Sequence, residues 1–253
     1  MKNKIKIVYF VFFATFVEAQ SIVNTENMSA KLDSTFVFST SFDGNYTTGN
    51  IELIQFNSAN QLAYKNDRNL VRLFFNYEYI SQEKEVISSD YTSQLRYSYS
   101  LKNNSLYSFV QGQKAVSLSL NSRYLVGIGY RHNIVKKDKN YLDIAFGPFY
   151  ENEMYLKNSI EEVHITNYRY SFSTFLNFKI SERLESNTVF YYQLNSEDFN
   201  DYRMYLEPRI SYSFDHFKIY STLRYRFHST PYIEIKNTDS QILFGFIYDL
   251  GFN

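Results

Sequence analysis

Cysteine is absent from this chain, which excludes disulfides, thiolate metal sites and cysteine nucleophiles. An excess of either charge is absent too. Lys and Arg number 26 against 26 Asp and Glu, so no basic surplus exists to neutralise phosphates and nucleic acid is not an expected partner. Proline is scarce, with 3 residues, so few positions would interrupt a β-ladder. Beyond the N-terminus no window reaches 18 apolar residues, so no helical membrane span is expected.

The aromatic content is high. Twenty-five Tyr and 24 Phe make up 19% of the chain, with no Trp, yet the mean hydropathy is negative. Interleaving apolar with polar side chains reconciles the two, because alternation hides a membrane surface from any window average. The tyrosines suit membrane interfaces, with an apolar ring and a wet hydroxyl.

The N-terminus has the three parts of a secretory signal: basic Lys2, Lys4 and Lys6, the apolar run 7–16, and Val17-Glu18-Ala19 before a cut at Gln20. Cleavage would leave 23 basic against 25 acidic residues. Residues 20–31 are polar and without period, a periplasmic lead. Residues 32–253 are the expected barrel domain.

That expectation rests on period two. At the C-terminal end Ile242, Phe244, Phe246, Tyr248, Leu250 and Phe252 form one apolar row, while Gln241, Gly245, Asp249 and Gly251 fall on the other. Successive side chains of a strand point to opposite faces. The pattern recurs about every 20 residues. Val71, Leu73, Phe75, Tyr77 and Tyr79 oppose Arg72, Asn76 and Glu78; Tyr124, Val126, Ile128 and Tyr130 oppose Gly127, Gly129 and Arg131. Leu142, Ile144, Phe146, Pro148 and Tyr150 oppose Asp143, Ala145, Gly147 and Glu151. Met204, Leu206, Pro208 and Ile210 oppose Arg203, Glu207 and Arg209, and Phe217, Ile219, Leu223 and Tyr225 oppose Arg224 and Arg226. About 12 such segments predict an all-β, antiparallel transmembrane β-barrel behind a cleaved signal peptide, in the outer membrane of a Gram-negative bacterium. Hydrocarbon offers no hydrogen-bond partners, so the last strand must close on the first, near Phe36. Pro148 and Pro208 are expected near a rim or bulge.

The connectors suggest an orientation. Short polar turns (65–68, 102–105, 136–139, 181–183, 215–216) alternate with longer stretches at Ser81–Ser89, Gly112–Asn121, Asn152–Glu162 and Ser229–Asn237. The short ones are expected at the periplasmic end and the longer ones outside.

Two neighbouring strands carry a family likeness. Arg123 to Arg131 contains G-x-G-Y, and Leu142 to Glu151 reads L-x-x-x-x-G-x-x-Y-E; Thr48-Gly49-Asn50 adds a Gly-Asn after the first strand. With these features the chain resembles the uncharacterised outer-membrane barrels named after a salt-induced outer-membrane protein, over roughly Phe36 to Phe252. The resemblance implies an outer-membrane barrel without an assigned activity and brings no catalytic residue with it.

The candidate site is the lumen. Arg72, Glu78, Arg96, Arg131, Asp143, Glu151, Arg203, Glu207, Arg209, Arg224, Arg226 and Asp249 occupy the predicted inward rows. Rings of charge can make a selective pore, or the same residues can plug a narrow interior with their own ion pairs. Twelve strands enclose less space than the 16–18 of open porins, which favours a plugged or narrowly conducting lumen, and the mixed signs predict no strong selectivity. Gly127 and Gly129 read as small inward residues relieving crowding.

His132, His164, His216 and His228 are scattered in sequence, which does not suit metal ligation, and read as rim residues. No cofactor is expected. The functional expectation is a structural or narrowly conducting barrel rather than an enzyme. A lipid hydrolase built on a Ser–His pair and a binding role for the long loops are the alternatives. Expected partners are outer-membrane lipid and, through the strand ending at Phe252, the barrel assembly machinery.

Overall fold

The computed structural model describes residues 35–49, 52–137, 140–157, 161–215, 217–233 and 236–252. The signal and lead segments lie outside them. Among the described residues there are twelve strands: β1 (Phe36–Thr47), β2 (Leu53–Asn66), β3 (Asn69–Gln82), β4 (Glu85–Leu101), β5 (Asn104–Ala115), β6 (Leu120–Lys137), β7 (Asn140–Lys157), β8 (Glu161–Lys179), β9 (Leu184–Asn195), β10 (Tyr202–Ser213), β11 (Phe217–His228) and β12 (Thr238–Phe252). Each pairs antiparallel with its sequence neighbours, and β12 pairs with β1 to close the barrel. Phe36 faces Phe252 in register and Gly44 faces Phe244. Closure leaves no strand edge unpaired, as a wall in hydrocarbon requires.

Alternation decides the two faces. On β6, Tyr124, Val126, Ile128 and Tyr130 are exposed, while Arg123 and Leu125 are buried. Phe244 is 65% and Ile128 62% exposed. A row of large apolar groups left uncovered all round the barrel is stable only against lipid, at about 25 cal/mol per Å² removed from water. The seam is also held from outside. Phe42 stacks between Phe56 and Phe246, with ring centroids 5.8 and 5.4 Å away, contacts worth about 0.5–1.5 kcal/mol each beyond their buried area.

The outer connectors differ from the sequence expectation. Ser81–Ser89 is mostly strand, closed by a two-residue turn at Glu83 and Lys84 with φ of 50° and 69°. Two left-handed residues match the twist of the flanking strands, here without glycine. Gly112–Asn121 is strand interrupted by a single 3-10 turn, Val116–Leu118. Asn152–Glu162 continues β7 and begins β8, apart from residues outside the described set. β6, β7 and β8 have 18, 18 and 19 residues, against 12 in each of β9 to β11. A tilted span needs only about 9–11, so the wall overshoots the hydrocarbon. There the outward face turns polar: Asn152 bonds Thr166 at 3.0 Å. The apolar alternation stops where the lipid stops, although the ladder continues.

The prolines also differ from expectation. Both sit mid-strand rather than at a rim. Pro148 keeps its pairing with Tyr170 of β8, and the β6–β7 register is the same on either side of it, at Gly127↔Phe149 and Tyr130↔Phe146. Pro208 keeps Thr188 of β9. A strand residue directs its N–H to one neighbour only, so each proline removes one bond and spares the other ladder.

Candidate functional site in the barrel lumen

The outer half of the lumen is centred on Glu151. β7 turns Glu151 and Glu153 inward, and both are fully buried. Three arginines converge on them from β6, β8 and β10. Glu151 lies 2.8 Å from Arg123, 2.7 Å from Arg169 and 2.5 Å from Arg203. Glu153 takes Arg203 at 2.9 Å and Arg123 at 3.1 Å. Such charge-assisted pairs fix geometry as well as energy. Arg169 continues to Asp201, in the loop after β9, at 2.6 Å, and His228 Nε2 lies 2.6 Å from the other Asp201 oxygen. The last outer loop folds onto this network: the Tyr232 hydroxyl donates to Asp201 at 2.6 Å and accepts from Arg169 at 2.7 Å. Tyr232 and Ile233 also pack on a cluster of Ala115, Leu118, Leu120 and Tyr155. Burial opposes the charge on Asp201, but the hydrogen bonds from His228, Arg169 and Tyr232 prevail and hold its carboxyl well below the usual range. Burial pushes the Tyr232 hydroxyl above the ordinary phenol value.

A second network lines β1–β3 and β10–β12. Glu207 accepts from Tyr205, from Arg209 at 3.2 Å and from Arg224 at 3.4 Å. Arg224 reaches Glu78 of β3, four strands away around the ring, at 4.0 Å. Gln55 donates to Glu78 at 2.8 Å. Tyr220 passes over β12 to donate to Asp43 of β1 at 2.7 Å. Gly245 makes that crossing possible, since a Cβ there would sit 2.4 Å from the Phe42 carbonyl oxygen and 2.8 Å from Tyr220 Cζ. Gly127 and Gly129 act alike, with Phe109 and Tyr107 lying where their side chains would be.

The twelve predicted residues thus divide. Glu151 and Arg203 belong to the outer network; Glu78, Glu207, Arg209 and Arg224 belong to the second. Arg226 pairs with Asp239 at 3.2 Å, Arg131 with Asp143 at 2.7 Å, and Asp249 with Ser39 across the seam. Arg72 and Arg96 face each other in register on β3 and β4. Both line a cavity of about 250 Å³ bounded by β3 to β9. Leu70, Ser100, Ser105 and Tyr141 place one limit beside the turns at the terminal end. Arg123, Phe149 and Gln193 form the other, against the Glu151 network.

Sequence reasoning missed Arg123, Arg169 and Glu153, although each has the inward parity of its strand. It also missed Asp201 and Tyr232, which sit in loops where parity says nothing. His228 is corrected: it is wholly buried rather than a rim residue, because the Asp201 loop folds against the end of β11. The neighbouring Ser229 is turned elsewhere, donating to the Asn200 carbonyl at 2.5 Å and accepting from the Tyr202 N–H at 2.8 Å. His132 faces outward, bonded to Asn104 at 2.6 Å, with Ile144 opposite on β7. His164 is exposed beside Glu162, and His216 lies outside the described residues.

A closed twelve-strand antiparallel ring, apolar outside and charged within, defines an outer-membrane β-barrel. The family model described as "Protein of unknown function, DUF481" matches residues 41–250, and the chain belongs to that family. Among solved structures, the chain is similar to an outer-membrane channel from Pseudomonas putida F1 (10% identity, 90% of this chain and 100% of that one, TM-score 0.55). It is also similar to the NanC porin (9%, 85% and 100%, TM-score 0.53) and the KdgM porin (12%, 85% and 99%, TM-score 0.50). At these identities the likeness is one of fold. No curated protein matches the chain.

Proposed function

We propose that this barrel is a narrowly conducting channel for small solutes, with its outer end held shut by its own ion pairs. The observation that carries this reading is the cavity that runs from the terminal-end turns to the Arg123–Glu151–Arg203 network and stops there. Twelve strands about 4.8 Å apart and tilted by about 40° enclose roughly 24 Å between backbones. Arginines reaching in from the wall close much of that width.

The reading is of a channel rather than an enzyme. A Ser–His hydrolase needs a hydroxyl on its histidine. Ser229, the hydroxyl next to His228, is turned to the Asn200 carbonyl and the Tyr202 N–H, and outward His132 has Asn104 on one side and Ile144 on the other. The tight turn at Glu83–Lys84 leaves little loop there for a binding role. The apolar exterior would meet outer-membrane lipid, and β12 is the segment that assembly machinery would read. Kinship with the barrels named after a salt-induced outer-membrane protein belongs to the same proposal.

Planar-bilayer recordings of refolded protein test it. Wild type is expected to give small, infrequent steps, and Tyr232→Ala, which frees the last outer loop, larger and more frequent ones. Silence from both, in samples that keep heat-modifiable gel migration, would leave a purely structural barrel.

A further inference from the structure

The cavity bounded by β3 to β9 exists because small residues meet there. Ser98 pairs with Tyr107, Tyr107 with Gly129, and Gly147 with Ser171. Of these inward positions only Tyr107 carries a large side chain, and its ring lies over Gly129. At this level the wall lacks the side chains that would fill the lumen.

The lining is charged, but its charges are already engaged. Arg123 pairs with Glu151 and Arg131 with Asp143. The Arg131 guanidinium also lies 4.2 Å from the centroid of the Phe175 ring, and that of Arg96 lies 5.3 Å from Tyr107. Neither Arg72 nor Arg96 is without a partner. What is left over is neutral. Gln94 on β4 and Gln193 on β9 both line the cavity, five strands apart round the ring. They are 4% and 9% exposed. The amide oxygen of each is buried with no hydrogen-bond partner among the described residues. For Gln94 the cause is local: its amide N–H donates to Gln111 Oε1 at 2.8 Å, which leaves its own oxygen over.

Buried acceptors of this kind call for a donor. An ionised carboxylate cannot supply one, since it brings acceptors only. An ammonium group would donate, but it would enter a cavity whose described lining holds four arginines and no carboxylate. A hydroxyl is the neutral donor that remains. Phe109, Phe149 and Phe175 line the same space and suit the C–H faces of a ring-shaped solute. A mostly apolar wall with a few placed polar groups is the usual make-up of a small-molecule site.

We infer that this cavity binds an uncharged, hydroxyl-rich solute of the simple-sugar class, whose hydroxyls donate to Gln94 and Gln193 while its C–H faces pack on the phenylalanine rings. The inference names a solute class for the proposed channel and rests on that reading for transport; the binding site itself does not.

The test uses the full barrel, refolded and purified in a detergent without a sugar headgroup. It is titrated with glucose and, separately, with succinate. Saturation-transfer NMR and titration calorimetry follow binding, and bilayer recordings of the same samples report conduction. Glucose is expected to bind at millimolar concentration and succinate is not. Gln94→Leu with Gln193→Leu is expected to weaken glucose binding about tenfold or more. Ser171→Leu, which fills the cavity and leaves both amides in place, is expected to abolish it. Gln82→Leu, at the end of β3 and outside the cavity, should leave it unchanged. Heat-modifiable migration verifies that each variant is folded, and Ser171→Leu decides alone if the double variant is not. Glucose binding lost in these variants, in a barrel that shows no channel steps, sustains the site and refutes conduction. No glucose binding by the wild type, binding indifferent to both variants, or succinate binding in place of glucose overturns the site, whether or not the barrel conducts.

Discussion

Replacing Glu151 by Gln would measure whether the lumen is dry. Gln keeps the volume and one acceptor oxygen but removes the charge shared by Arg123, Arg169 and Arg203 at 2.8, 2.7 and 2.5 Å. Arginine stays protonated, so the variant leaves three guanidiniums with Glu153 and Asp201 alone. In a dry interior, stripping one partner from a buried ion pair costs about 3–5 kcal/mol. In a water-filled pore the same pair is worth about 0–1 kcal/mol. Urea unfolding in detergent micelles separates these cases. With a urea m-value of about 3 kcal/mol/M, the dry case lowers the midpoint by roughly 1–1.7 M and the wet case by no more than about 0.3 M. Tyrosine fluorescence and far-ultraviolet circular dichroism serve as probes, since the chain has 25 Tyr and no Trp. Heat-modifiable migration verifies that the variant is folded before urea is added. A midpoint within about 0.3 M of wild type would refute closure by the ion network and leave an open, hydrated pore.

Two further outcomes follow from local geometry. Gly245→Ala places a Cβ 2.4 Å from the Phe42 carbonyl oxygen and should cost about 1–3 kcal/mol, while Gly112→Ala, whose nearest neighbour is 3.9 Å away, should stay within about 0.5 kcal/mol; urea midpoints compare them, and equal losses would contradict the close crossing at the seam. The depressed pKa of Asp201 sets a pH dependence. Its folded-state pKa lies below the unfolded one, so its stabilisation is fully present above the ordinary carboxylate value of about 3.9 and is lost as pH falls below it towards the folded pKa. The stability gap between wild type and Asp201→Asn, about 1.5–3 kcal/mol for hydrogen bonds to a charged group, should hold from about pH 8 to 5 and narrow on further acidification; a gap that widens in acid would reverse the sign.

Period two in the sequence determined the architecture. Rows such as Val71 to Tyr79 and Ile242 to Phe252 locate strands and sort their faces, because lipid accepts one kind of side chain and a polar lumen the other. The same parity places Arg72, Glu151 and Arg203 inside, and would have placed Arg123, Arg169 and Glu153 there. It does not reach beyond the lipid. The outer ends of β7 and β8 lose their apolar row, so sequence reads loops where the ladder runs on. Parity also says which face a residue takes, not which partner it meets. That Arg203 of β10 meets Glu151 of β7, that Arg224 crosses to Glu78, and that Tyr232 returns from a loop onto Asp201 depend on closure of the ring and on barrel stagger. The alternating pattern therefore determined that this chain is a barrel and where its charges point. Only the tertiary structure gathered three arginines onto Glu151 and left a cavity beside them, because ring closure sets distances between strands far apart in sequence.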